Sequence, residues 1–163
     1  MDLEKFKNAL VIVSGRLNQS GIKYALVGSL NQVLQGMNLS PKDLDLVARI
    51  EDLAGINSLF HDYSPSQIKE MKPDSTDPKW TAKLERHPAS GFHFNVGDAP
   101  IHILGERDDG DYVSKLLEGR LSYLEIENVK VPCFTLEAEA DAYKDTFRPD
   151  KSARIREFMM GRK

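Results

Sequence analysis

The sequence predicts an α/β (α+β) chain, a mixed β-sheet with helices packed mainly on one face. Apolar side chains recur at helical spacing near both ends, and short apolar or alternating runs of strand length lie between them. The two kinds of run are interleaved, which is how a sheet acquires helical cover. A length of 163 residues suits one folding unit with a substantial core. A single domain over residues 1–163 is therefore expected, with a helical or irregular insertion at about 64–90.

From Asp2 to Gln19, Leu3, Phe6, Leu10, Val13 and Leu17 recur about one helical turn apart, an amphipathic helix that Ser20-Gly21 ends. Tyr24 to Val27 is apolar throughout and reads as a buried strand. A Gly28-Ser29 turn follows, then a helix from Leu30 to Gln35 with Leu30, Val33 and Leu34 inward. Gly36 to Lys42 is a polar loop whose Pro41 keeps Ser40 extended and leads into a second strand carrying Asp43 and Asp45. Ile50 to Phe60 has helical spacing in Leu53, Ile56, Leu59 and Phe60, weakened by Gly55. Pro65, Pro73, Pro78 and Pro88 punctuate the next stretch and allow helices at Ser66 to Lys72 and at Pro78 to Arg86.

Phe92 to Val96 and Ile101 to Leu104 alternate on either side of a Gly97-Asp98 turn, the pattern of a hairpin. Glu106 to Gly110 reads as an acidic loop and Tyr112 to Leu117 as a short helix. Leu124 to Ile126 and Val129 to Val131 form extended pieces around a turn at Asn128. Thr135 suits the N-cap of a helix running to Phe147, and Arg148-Pro149-Asp150 breaks it before a last helix from Lys151 to Met160.

With 40% hydrophobic and 29% charged residues and a net charge of -3, the composition is that of an ordinary globular chain. That balance gives no electrostatic ground for a nucleic-acid partner, although local basic patches stay open. No apolar run is long enough to span a bilayer, and the charged start (Asp2, Glu4, Lys5, Lys7) does not suit a secretory signal. A cytoplasmic protein with no membrane partner is expected. Cys133, the lone cysteine, stands beside Val131 and Phe134 and reads as a small buried thiol. His61, His87 and His93 have no metal-type spacing with carboxylates and read as structural or surface residues.

The chemistry concentrates between Gly21 and Leu46. Residues two apart on a strand share a face, so Asp43 and Asp45 point together while Leu44 and Leu46 point to the core. A strand-to-helix turn presents free backbone N–H groups and the positive end of the helix dipole. Two carboxylates opposite Gly28-Ser29 therefore make a site for a divalent cation and a polyphosphate.

Gly28-Ser29 between strand and helix, followed by Asp43-Leu44-Asp45-Leu46 on the next strand, resembles in type, order and spacing the nucleotidyltransferase superfamily, related to DNA polymerase beta and kanamycin nucleotidyltransferase. The likeness is to the small bacterial and archaeal nucleotidyltransferase-like proteins, abortive-infection toxins among them. A second match, Val131-Pro132-Cys133-Phe134-Thr135-Leu136-Glu137 with Lys144, Arg148, Pro149 and Asp150, extends it over most of the chain from Gly21 onward, apart from Ser64 to Ser90. The resemblance implies the nucleotidyltransferase fold, with the second hairpin strand beside the Asp43 strand. It implies transfer of a nucleoside monophosphate from a nucleoside triphosphate to a hydroxyl. Asp43 and Asp45 would hold magnesium, with manganese as an alternative, and Gly28 and Ser29 would bind phosphate. Lys144 corresponds to a family lysine on the helix behind the site.

The chain departs from the pattern in two places. Active members bring a third carboxylate from a later strand, and the matching stretch Ile101-His102-Ile103-Leu104 has His102 there. Three fates are open for that position: His102 is a plain strand residue; it serves as ligand or general base with a softer ion such as manganese; or Asp98 or Glu106 swings in. In the loop before the aspartates, Leu39 and Pro41 stand where relatives place an arginine and a threonine, which leaves Lys42 as the substitute cation. The rival to transfer chemistry is a catalytically impaired homologue, a nucleotide-binding, regulatory or toxin-antitoxin type protein.

Overall fold

The apolar repeat at the start forms helix α1 (Glu4–Ser20), which buries Phe6, Leu10, Val13 and Leu17 and ends where Gly21 turns left-handed. The computed structural model describes residues 2–72, 78–145 and 148–161. Strand β1 (Tyr24–Val27), buried throughout, runs without an intervening turn into helix α2 (Gly28–Leu34). The inward face of α2 is Leu30, Asn31 and Gln32, more polar than the expected Leu30, Val33 and Leu34. Asp43 sits in a bend just before strand β2 (Leu44–Arg49), whose side chains alternate as expected. The segment expected as one helix from Ile50 is a short 3-10 turn, Ile50–Asp52, followed by α3 (Leu53–Leu59).

The first helix expected in the insertion is replaced by extended chain. Strand β3 (Lys69–Glu70) lies antiparallel to a neighbouring edge, and the backbone N–H groups of Ser66 and Met71 donate to the carbonyls of His93 and Ala89, each at 2.8 Å. Pairing satisfies edge groups that a surface helix at 66–72 would have left to water. Helix α4 (Pro78–Arg86) forms as expected, while Pro73 lies outside the described residues.

The hairpin is β4 (Ala89–Val96) and β5 (Ala99–Glu106). Glu106, expected in a loop, closes β5 and is buried. Helix α5 (Val113–Leu117) leads to the second hairpin, β6 (Leu121–Ile126) and β7 (Val129–Phe134). Thr135 Oγ1 accepts from the Ala138 N–H at 3.0 Å and starts helix α6 (Leu136–Asp145). Its expected last two residues, 146 and 147, are outside the described set. Helix α7 (Pro149–Gly161) begins two residues earlier than expected, because proline suits a first helical turn.

The seven strands form one mixed sheet in the order β3-β4-β5-β2-β1-β7-β6. β2 runs antiparallel to β1 and parallel to β5, and β1 runs parallel to β7. Helices α1 and α3 cover one face, burying Leu26, Leu46, Ile101 and Ile103 beneath them. The opposite face is covered only in part, where Leu116 of α5 and Ala138 of α6 pack on Ala25, Val27 and Val47. Period-two alternation sends Asp45 and His102 to this second, partly open face. Cys133 is buried on the α1 side, and burial pushes its thiol up to about 12, so it stays protonated.

Candidate active site

The site follows from strand register. Val27 pairs with Asp45, Asp45 with His102, and His102 with His93, so one row crosses β1, β2, β5 and β4. Gly28 ends the row with φ +84, and a Cβ there would lie 2.8 Å from Asp45 Oδ2. Only glycine permits both the left-handed backbone and this approach. Asp45 and the glycine bend therefore face each other directly.

One ligand atom each from Asp43, Asp45 and His102 lie within 4.8 Å of one another. His102 Nε2 is 3.8 Å from Asp43 Oδ2, with the two side chains 51% and 35% exposed, so the cluster opens to solvent. Burial, then the charge and hydrogen bond of Asp43, then the charge of Glu139, push the Asp45 carboxyl up to about 8. Crowding of this kind is relieved by a cation, and two carboxylates with an imidazole are a donor set that fits a divalent metal ion.

Glu139, on α6, is the residue that strand and helix patterns did not disclose. It is 1% exposed. Its Oε1 accepts the Gly28 N–H at 2.9 Å, and its Oε2 accepts from Asn31 Nδ2 at 3.2 Å and Gln32 Nε2 at 3.1 Å. These contacts explain why α2 turns polar residues inward. Burial pushes the Glu139 carboxyl up to about 7, against the pull of those three donors. The Gly28 N–H, expected to face phosphate, thus donates to Glu139. Ser29 follows it, half-buried in the first turn of α2.

Beside the cluster is a cavity of about 400 Å³. Gly28, Asp45 and His102 form one wall, and Trp80, Phe92, Tyr112 and Tyr143 contribute aromatic surface. Tyr143 is positioned by Gln32 Nε2, which donates to its hydroxyl at 3.1 Å, and burial pushes that hydroxyl up to about 12. Lys69 is the cation that lines the cavity among the described residues. Lys42, next to Asp43, is exposed and does not line it, nor does Lys144, exposed on α6 beside Tyr143.

Neither carboxylate proposed to swing in belongs to the cluster. Asp98 lies in the β4–β5 turn, four residues from His102 and so about 13 Å along the strand. Glu106 is equally far the other way, and its carboxylate pairs with the buried Lys83 ammonium and accepts from Tyr112 N–H at 2.8 Å and Val113 N–H at 3.1 Å. His93, read from sequence as a structural or surface residue, is exposed and lines the cavity with its ring stacked on His102 at 5.8 Å.

A strand running through glycine into a helix, Asp45 on the adjacent antiparallel strand with Asp43 in the bend that leads into it, and a parallel strand beyond define a nucleotidyltransferase domain. Residues 9–157 match the model of the aminoglycoside-2''-adenylyltransferase family, and the chain belongs to that family. A Thermotoga maritima protein assigned as a nucleotidyltransferase has the same fold, at 18% identity, covering 99% of this chain and 96% of that one, with a TM-score of 0.66. More distant are an antigenic nucleotidyltransferase-like protein of Paracoccidioides brasiliensis (15% identity, 91% and 75% covered, TM-score 0.47) and the antibiotic-resistance factor ANT(2'')-Ia (11% identity, 97% and 94% covered, TM-score 0.48). No curated protein matches the chain. No helix among the described residues is long and apolar enough to cross a membrane.

Proposed function

We propose that the protein transfers a nucleoside monophosphate from a nucleoside triphosphate to a hydroxyl acceptor at the Asp43, Asp45 and His102 cluster. The observation that carries this reading is the meeting of those three ligand atoms within 4.8 Å, with Asp45 against Gly28 and Asp45 and His102 lining the cavity. Asp43 and Asp45 would hold the divalent cation, magnesium or manganese. When bound, such an ion neutralises phosphate charge and polarises the reacting phosphoryl group.

The chain's own residues supply the rest. The acceptor oxygen bonds to the α-phosphorus as the bond to the bridging oxygen of the β-phosphate breaks, and pyrophosphate leaves. With Asp45 engaged by the cation, the acceptor's proton passes to water at the open side of the cluster, where the His102 and Asp43 side chains reach solvent. Ser29, in the first turn of α2, and Lys69, on the cavity wall, would meet the phosphates. With the Gly28 N–H already bonded to Glu139, phosphate binding rests more on the cation than on the helix end. The aromatic surface of Trp80, Tyr112 and Tyr143 suits a planar or ring-bearing part of a substrate.

The experiment is pyrophosphate release with ATP and each other nucleoside triphosphate, with magnesium or manganese. An aminoglycoside, the acceptor in the family's description, is the first to test. Asp45→Asn is expected to lower release by roughly 100-fold or more. Equal release by wild type and variant would refute the reading. A second reading, nucleotide binding without transfer, is favoured by the imidazole at the third position and by the sequestered Gly28 N–H. Cation-dependent nucleotide binding without pyrophosphate release would establish it.

A further inference from the structure

We infer that the ion selected by this site is a first-row transition metal held through His102 nitrogen, in preference to magnesium; this rests on the reading of the cluster just given. His102 is fixed in the site by register, since it pairs with Asp45 on parallel neighbouring strands and with His93 on the other side. Paired positions on adjacent strands put their side chains on the same face. Two ligands each about 2.0–2.2 Å from one ion lie at most about 4.4 Å apart. The 3.8 Å between His102 Nε2 and Asp43 Oδ2 falls inside that limit.

The imidazole is also held from behind. The His93 ring stacks on His102 with an interplanar angle of 26°, and His93 is itself tied at Nδ1 to Ser66 Oγ at 3.3 Å. That stack limits how far the His102 ring can turn away from the aspartates. No third carboxylate joins the cluster among the described residues. Glu106 is committed to Lys83 and to two backbone N–H groups, and Asp98 lies in the distant turn. Magnesium demands oxygen ligands in near-ideal octahedral geometry, whereas imidazole suits cobalt, nickel and zinc, with affinity rising from manganese along the series.

The test uses untagged full-length protein freed of metal by a chelator. Cobalt is titrated and followed by the visible absorption of the bound ion, and magnesium by calorimetry and by competition with cobalt. Wild type is expected to bind cobalt at least roughly tenfold more tightly than magnesium. His102→Asp, which replaces nitrogen by oxygen, is expected to lower the cobalt-to-magnesium affinity ratio by roughly 10–100-fold. Histidine ring-nitrogen resonances should show a paramagnetic shift at His102 on cobalt binding, while those of His61 and His87 stay in place. The NMR readout also reports whether each variant is folded.

An unchanged ratio in His102→Asp, an unshifted His102 resonance or equal wild-type affinity for the two ions would overturn the inference. If magnesium still supports nucleotide binding that Asp45→Asn abolishes, the functional proposal survives that outcome. If wild type binds no divalent ion, the functional proposal itself falls, and this inference with it.

Discussion

Replacing Glu139 by glutamine probes the electrostatics that hold the glycine bend against the aspartates. The Glu139 carboxyl sits at about 7 in the fold against 4.5 as its ordinary value, chiefly because burial penalises the charge. A folded value above the unfolded one means the native state holds the proton more tightly. Stability from this group is therefore complete below about pH 4.5 and is lost as pH rises to about 7. At about 1.4 kcal/mol per pH unit, that interval corresponds to about 3 kcal/mol. Glutamine has no proton to lose, so Glu139→Gln should lack this decline. Its removal also takes one charge away from Asp45, which flattens the slope further in the same direction.

The assay is urea unfolding followed by circular dichroism at about pH 4.5, 6 and 7.5, in chelator, for wild type and variant. Between the first and last pH, wild type should lose about 3 kcal/mol more than the variant. For a chain of this size that is a difference of roughly 6–12 °C in melting temperature. Parallel pH profiles would refute the reasoning, because they would mean that Glu139 titrates in the fold as it does in water.

Three further outcomes follow from the same geometry. Asp45 is held up to about 8, so metal-free stability should also decline as pH rises towards 8. Manganese should therefore raise the melting temperature more at about pH 8.5 than at about pH 5.5 in scanning fluorimetry. Gly28→Ala forces a Cβ into the left-handed backbone 2.8 Å from Asp45 Oδ2. It should cost roughly 1–3 kcal/mol in denaturant melts and weaken manganese binding roughly tenfold or more by calorimetry. Lys83→Met leaves the fully buried Glu106 without its cation and should cost about 3–5 kcal/mol. Adding Glu106→Gln should recover more than half, since the amide oxygen still accepts from Tyr112 and Val113; a single-variant loss below about 1 kcal/mol would place that pair in water.

Of the residues behind these predictions, Gly28 and Asp45 were legible in one dimension, while Glu139 and the Lys83–Glu106 pairing were not. Gly28 and Asp45 stood out because local patterns, a strand broken by glycine and a period-two pair of acids, depend on neighbours in sequence. Lys42 and Lys144 were proposed from the family resemblance, yet both are exposed and off the cavity, while Lys69 lines it. Lys69 was hidden because residues 66–72 look helical in isolation and are extended, with Lys69–Glu70 as a strand, only when the β4 edge takes up their backbone groups.

Chain order and side-chain period were enough for the first strand broken at Gly28, the hairpin carrying His102 and the Thr135 cap, since each is dictated by dihedral preferences and burial over a few residues, while the mixed sheet was implied by the family resemblance. Folding in three dimensions settled which charges are sequestered. Glu139 reaches α2 from more than 100 positions away (107 to Gln32, 111 to Gly28), and Lys83 meets Glu106 from 23. No pattern along a chain reports such partners, because the cost of burying a charge is set by what surrounds it in space and not by what precedes it.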